Sequence, residues 1–454
     1  MKIVIVGAGE VGFHIAGRLA MENKEVVVVE RDPAAIRRVA DSMDVQTVIG
    51  SGSSPTVLEE AGIKQAEIML AVTNQDETNL VACLMADILS PATKKLARLR
   101  GADFDAYHET LCQQAPHIDT VINPEVEVVK TIERLMRVPG AADVGEFAEG
   151  RLKFVGVYLD PDARLAGARL MDLPDMLGHR RLLIVAVVRE EKVIIPRGPD
   201  RLQAGDLVYF ISEEPDLPEL LAALDKRPQP VRRVLIVGGG RIGMRLARHL
   251  ESRSIYCKII EKDAERCAKL AERLNKAVVL HGDGSDQGLL TEEHIGDIDV
   301  VVTLTDDEET NILTSLLARR MGAGKAITKI NKFSYFPLMT AIGIEQVVST
   351  RLSAINTILQ HIRRGKVLSA ISLKGEQAEA LEVVALETSD IVGKPLQKVH
   401  FPKGAIVASI IRGDQVIIPT GDSVIQPDDR VIIFAQRRAI GAIEKLLAVK
   451  LEYF

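Results

Sequence analysis

At 454 residues the chain is several times longer than one typical hydrophobic core, and 47% hydrophobic against 26% charged residues is the balance of an ordinary soluble protein. A net charge of −6, 4% aromatic content and no Trp argue against broad binding to nucleic acid or anionic lipid. The longest apolar run, Leu182 to Val188, is seven residues, where a membrane span needs ~20.

The first element is an apolar run, Lys2 to Val6, that stops in a glycine motif and the carboxylate of Glu10 without a small-residue cleavage site. It reads as the first strand of a cytosolic protein. β-branched runs follow at Val26 to Val29 and Ile68 to Val72, separated by helix-like stretches such as Val11 to Met21 and Asp76 to Leu89. Strands alternating with helices at this spacing predict parallel βαβ units with right-handed crossovers, a doubly wound, Rossmann-like α/β sheet.

The loop Gly7-Ala8-Gly9-Glu10-Val11-Gly12 is a GxGxxG between strand and helix. Gly7 supplies the tight turn, Gly9 lets backbone approach a pyrophosphate, and Gly12 lets helix and strand pack closely; the phosphates would rest on N–H groups at the helix N-terminus. Glu30 follows 18 residues after Gly12, where an acid holds a ribose diol. A carboxylate there favours NAD(H), ATP or ADP over NADP(H), whereas the adjacent Arg31 offers a cation that could accept a 2′-phosphate. Gly50-Ser51-Gly52, after the third strand, lies where an adenine edge would sit. Thr73-Asn74-Gln75-Asp76 reads as a capping box opening a helix on the ligand face.

From Asp143 to Leu224 the pattern changes to short strands with Pro-x-Gly and Gly-Asp turns and a terminal helix, a small α+β domain. A charged, proline-rich linker, Asp225 to Pro230, ends the first half. The second half then repeats the first. RVLIVGGGRIG carries Gly238, Gly239, Gly240, Arg241, Ile242 and Gly243 at an offset of 231 residues; Glu261 and Lys262 correspond to Glu30 and Arg31. Gly282-Asp283-Gly284 and Thr305-Asp306-Asp307-Glu308 follow at an offset of 232. A second α+β segment, Ala370 to Leu447, repeats the first at an offset of 223. The expected domains are thus 1–123, 143–227, 232–348 and 368–450, joined within each half by amphipathic helices at Asn123 to Met136 and Ser349 to Ile362.

A dehydrogenase would need an acid or base beside the cofactor. His14, His249 and His281 near the cups, and His179 and His400 in the small domains, each lack a counterpart in the other half. No GxSxG, HExxH or GxxxxGK[ST] occurs, and Cys83, Cys112, Cys257 and Cys267 have no metal-site spacing. Two cups without chemistry point to a regulatory sensor rather than an enzyme. An NAD-linked oxidoreductase and a scaffold with vestigial cups are the alternatives.

The paired glycine motifs, the ERD and EKD steps (Glu30 to Asp32, Glu261 to Asp263), TNQDETN and TDDEETN, KKLARLR (Lys94 to Arg100) and RMGAGKAI (Arg320 to Ile327) carry a further resemblance. Over essentially its full length the chain is similar to the TrkA family, the peripheral nucleotide-binding subunits of bacterial Trk potassium-uptake systems, built as tandem RCK (KTN) units. The resemblance implies a homo-oligomeric, tetrameric ring at the cytoplasmic face of the membrane, docked on a TrkH- or TrkG-like potassium transporter subunit and changing its gate on binding NAD(H) or ATP/ADP. Composition and run length already lead to the expectation of no membrane insertion and no nucleic-acid partner. By position, Arg98 and Lys329 would be basic contacts to nucleotide, and Thr73, Asn74, Thr305 and Asp306 would line the cups. Ser51 departs from the family's frequent acid at that place, which Asp283 retains. The two joining helices are candidate levers between cups and small domains.

Overall fold

The computed structural model describes residues 1–114, 117–177, 182–226, 230–363, 366–373 and 377–447; His179 and part of the linker between halves lie outside them. The chain divides into two compact units, Met1–Glu127 with Thr350–Ile362, and Val128–Ser349 with Arg363–Phe454.

In the first unit six parallel strands, β1 (Lys2–Val6), β2 (Glu25–Glu30), β3 (Gln46–Ile49), β4 (Ile68–Ala71), β5 (Lys94–Arg98) and β6 (Thr120–Ile122), lie in the order β3-β2-β1-β4-β5-β6. The central runs IVIV and VVVV are buried throughout because helices cover both faces of a parallel sheet. The order reverses between β1 and β4. Loops that follow the strands there open a crevice at their carboxyl ends.

Helix Glu10–Met21 turns Val11, Ile15 and Leu19 into the sheet. Its outer flank receives helix Thr350–Ile362, which buries Ala354, Ile355, Ile358 and Leu359 and comes from the other half of the sequence. Lys94 Nζ donates to His361 O at 3.2 Å, and Arg351 pairs with Glu10.

Among the described residues the second unit holds three sheets. Strands β7 (Ala141–Phe147), β8 (Leu152–Tyr158), β9 (Leu183–Arg189), β10 (Lys192–Ile194) and β11 (Leu207–Glu213) form an antiparallel sheet ordered β10-β9-β11-β8-β7. The parallel sheet of β12 (Arg233–Val237), β13 (Tyr256–Glu261), β14 (Val278–His281), β15 (Val300–Thr303), β16 (Lys325–Lys329) and β17 (Gln346–Val348) repeats the order of the first. The last, antiparallel sheet comprises β18 (Lys366–Ser372), β19 (Ala378–Val384), β20 (Ala405–Arg412), β21 (Gln415–Ile417) and β22 (Arg430–Gln436), ordered β18-β19-β22-β20-β21.

The two antiparallel sheets share one core: Phe154 stacks on Tyr209 with centroids 5.2 Å apart and on Phe434 at 6.5 Å, among Phe147, Ile211, Ala380 and Ile432. The joining helix Pro124–Arg137 contributes Val128, Ile132, Leu135 and Met136 to the core around Ile236, Leu246 and Ile259 of the second parallel sheet. Each joining helix therefore packs on the parallel-sheet domain of the opposite half. The fold class is the expected one, two Rossmann-like sheets each followed by a small α+β domain.

Candidate functional site

Both parallel sheets present the same device at the reversal of strand order. Gly7 has φ +108° and Gly238 φ +106°, a region closed to side chains, and a Cβ on Gly7 would stand 2.9 Å from Thr73 N. A Cβ on Gly12 would lie 1.8 Å from Gly7 O, and one on Gly243 would lie 2.1 Å from Gly238 O, so the helix can start against the strand only with glycine there. Gly9 and Gly240 differ: the nearest atom to a Cβ on Gly9 is 4.0 Å away, and nothing lies within 4 Å of one on Gly240. Both glycines are N-caps with no side-chain hydrogen bond, which leaves helix N–H groups for an external acceptor. These open cradles fit the diphosphate of a nucleotide.

Glu30 ends β2 with both oxygens engaged: Ala8 N–H donates to Oε2 at 2.8 Å, and Arg31 N and Asp32 N to Oε1 at 2.8 and 3.1 Å. Glu261 does the same with Gly239 N at 2.8 Å and Asp263 N at 2.9 Å, and Arg266 Nη1 approaches at 3.4 Å. The strand-end acid thus braces the glycine loop. Carboxylate oxygens carry further lone pairs for ribose hydroxyls.

The first cleft, about 210 Å³, is lined by Gly7, Gly9, Glu30, Arg31, Gly50, Ser51, Thr73 and Asn74 with Val6, Val29, Gly52, Gln75 and Thr78. Ala8, Val11 and Gly12 are buried and are not among its lining residues. Glu10 stands at the helix start, 3.5 Å from Arg38 Nη1 and paired with Arg351, whose Nη1 is 3.2 Å from His14 Nε2. Burial first, and the Arg351 charge second, hold the His14 pKa below its ordinary value. Arg98 is not among the lining residues; its carbonyl accepts Asn79 Nδ2 at 2.8 Å.

The second cleft is larger, about 450 Å³, lined by Gly238, Gly240, Glu261, Lys262, Gly282, Asp283, Thr305 and Asp306 with Arg266, Gly284, Asp307 and Thr310 among others. Gly239, Arg241, Ile242, Gly243 and Lys329 are not in the lining, although Lys329 Nζ reaches Asp306 Oδ1 at 3.2 Å. Lys262 Nζ meets Asp283 Oδ2 at 3.1 Å. Hydrogen bonds from Ser285 N and Oγ, then Lys262, lower the Asp283 pKa to about 2. In the first cleft Ser51 Oγ instead meets Ser53 Oγ at 2.7 Å. Arg31 has no corresponding carboxylate across the mouth.

The capping boxes expected at Thr73 and Thr305 are not what forms. The N-caps are Gln75 and Asp307, and the latter caps Thr310 N at 2.5 Å. The threonines turn instead to an asparagine six residues on: Thr73 N and Oγ1 bond Asn79 Oδ1 at 2.9 and 2.7 Å, and Thr305 N and Oγ1 bond Asn311 Oδ1 at 2.9 and 2.7 Å. Asp76 accepts Arg100 N and Gly101 N at 2.8 Å, and Glu308 accepts Asn331 N and Lys332 N at 3.1 Å. A long-range loop with unsatisfied N–H groups outcompetes the local cap. Asn79 and Asn311, fully buried, were missed as organisers of the cleft wall; the signal was the final Asn common to TNQDETN and TDDEETN.

Among the described residues no group of three or more His, Cys, Asp or Glu is arranged to hold a metal ion, and no helix is long and apolar enough to cross a membrane.

Two family models match this chain, the TrkA-N domain over residues 3–124 and 234–350 and the TrkA-C domain over residues 154–225 and 380–448. A Trk system potassium uptake protein TrkA of Halomonas elongata is 38% identical over 458 residues, covering 100% of both chains. Among solved structures, the GsuK channel bound to NAD is similar at TM-score 0.61 and 17% identity, over 98% of this chain and 78% of that one. GsuK bound to ADP is similar at TM-score 0.51 and 16% identity, over 80% and 69%. At such identities the likeness is one of fold.

Proposed function

The chain belongs to the TrkA family of Trk-system potassium uptake proteins, and from that premise we propose that it is a regulatory subunit that binds NAD(H) or ATP/ADP in both cups and acts on a membrane potassium transporter. The observation that carries this reading is the duplicated device: an uncapped helix N-terminus facing open space at Gly9 and Gly240, with a strand-end glutamate set beside it. GsuK, of the same fold, has been solved with NAD and with ADP, which supports those two ligand classes. The proposed binding residues are those of the two linings, with Glu30 and Glu261 on the ribose and the helix N–H groups on the phosphates.

Regulation requires that a nucleotide bind two states of the assembly unequally; moving an equilibrium from 1:99 to 99:1 takes ~5.5 kcal/mol of differential binding. Two cups per chain in a multi-chain ring on the cytoplasmic side of the membrane would divide that amount. The joining helices, each packed on the opposite half's sheet domain, are the elements through which a change at a cup reaches the small domains.

Calorimetric titration of the intact chain with ATP, ADP, NADH, NAD and NADPH tests the first half of the proposal, and rubidium flux through a reconstituted TrkH-type transporter tests the second. Saturable binding near two sites per chain, without consumption of NADH and with a ligand-dependent flux, is expected. Steady NADH turnover would return the oxidoreductase reading, and absence of binding would leave a scaffold.

A further inference from the structure

A cleft larger than the second cup lies elsewhere in the second unit. It measures about 530 Å³ and opens at the amino ends of β15, β16 and β17, the edge of the sheet opposite the glycine loop. Its walls are the turn Pro139–Gly140 after the first joining helix, Asp225 and Lys226 at the end of the first small domain, and Asp299, Arg319, Lys325 and Gln346 of the second parallel-sheet domain.

The charges in this cleft are unevenly matched. Asp299 accepts Arg232 N and Arg233 N at 2.7 and 2.8 Å, Asp225 accepts Arg164 N at 3.2 Å, and Lys226 is paired with Asp160 at 2.5 Å. Glu345 stands exposed at the rim. Arg319, in the last turn of helix Glu308–Arg320, is exposed and forms no ion pair among the described residues. Lys325 has a mostly buried stem, and its ammonium donates to Leu135 O at 3.1 Å and, weakly, to Met136 O at 3.5 Å, carbonyls of the last turn of helix Pro124–Arg137; it meets no carboxylate at ion-pair distance. Burial pulls its pKa down to about 8, opposed by the more distant Asp299.

Gln346 adds an acceptor. It is 5% exposed, its Nε2 donates to Ala141 O at 2.6 Å, and its Oε1 is buried without a donor. A buried acceptor left unbonded costs free energy that a ligand donor would recover. Two cations with no carboxylate at ion-pair distance, and a glutamine whose buried oxygen has no donor, line one cavity of ligand size among the described residues.

We propose that this cleft is a second, non-nucleotide ligand site, which takes a small oxyanion, a carboxylate or phosphate monoester, that also carries a hydroxyl donor. The oxyanion lies between Arg319 and Lys325, and the hydroxyl serves Gln346. Because Lys325 holds the end of the joining helix and Gln346 holds Ala141 of β7, the ligand acts on the junction between the first small domain and the second parallel-sheet domain. The site stands independently of nucleotide binding in the cups.

The test is calorimetric titration of the intact chain with malate, with glycerol 3-phosphate and with inorganic phosphate at constant ionic strength, repeated on Arg319→Gln, an exposed position whose replacement leaves the core intact. Saturable binding of at least one hydroxylated probe, weakened ~10-fold or more by Arg319→Gln, is expected. Malate alone would identify a carboxylate site and glycerol 3-phosphate alone a phosphate ester site. Amide exchange on the intact chain should slow at residues 137–141 and 342–346. No saturable binding of any probe at millimolar concentration, affinity unchanged by Arg319→Gln, or protection confined to the glycine loops would overturn the assignment.

Discussion

Glu261 braces the glycine loop and is also the side chain proposed to hold the ribose. At 6% exposure its carboxylate takes Gly239 N–H and Asp263 N–H, so the glycine loop is held in shape before any nucleotide arrives. Replacing it by Ala strands a buried N–H, a loss of ~1–3 kcal/mol, and should remove the proposed ribose contacts, worth a further ~10–100-fold in affinity. Urea unfolding of the free Glu261→Ala chain reads the first effect and calorimetry the second; unchanged values in both would remove the residue from the site. The neighbouring difference is sharper. In the second cleft Lys262 pairs with Asp283, whereas in the first Arg31 shares the lining with Ser51. The first cup should therefore accept the more phosphorylated ligand. Exchanging Ser51→Asp and Asp283→Ser should invert the rank of ATP against NADH between cups, by ~10-fold in each; ranks that ignore the exchange would assign selectivity elsewhere.

Among elements, the second joining helix carries a titratable group at its last turn. Burial first, and the charge of Lys94 second, depress the His361 pKa to about 4. The unfolded imidazole protonates near 6.5, so the unfolded state binds the proton first as pH falls. The stability that neutral His361 confers is complete above pH 6.5 and drains as pH drops through about 4. His361→Gln should flatten that part of the pH–stability curve, measured by denaturant midpoints at successive pH values. A slope unchanged by the substitution would place the titration on another group. The first joining helix is held differently, with Glu133 meeting His249 at 2.9 Å and Arg253 at 3.3 Å and its last carbonyls on Lys325.

For the molecule as a whole, the exchange of joining helices makes each half depend on the other. The first parallel-sheet domain buries Ala354, Ile355, Ile358 and Leu359 from beyond the second one. A chain ending at Lys226 lacks that helix and leaves the flank of helix Glu10–Met21 bare. Such a half should not persist as a monomer; it should self-associate by covering the flank with a second copy's joining helix, or aggregate. Sedimentation of residues 1–226 decides this, and a well-folded monomer would show the exchange to be dispensable.

The amino-acid sequence alone determined the duplication, the parallel βαβ order, the glycine loops and the strand-end acids. These depend on contacts within some thirty residues and on periodicities of 2 and 3.6, which local chemistry imposes. The tertiary structure decided what those periodicities leave open. Thr73 and Thr305 look like caps because their acids stand three residues on, yet Asp76 and Glu308 serve loops more than twenty residues away. The joining helices have apolar faces that would suit the sheet domain of either half, since the halves share one fold. Nothing in a symmetric pattern selects between them. The choice rests on the summed packing of the folded chain, and with it came the cleft around Lys325 and Gln346, whose residues lie as far apart as 139 and 346 in the sequence.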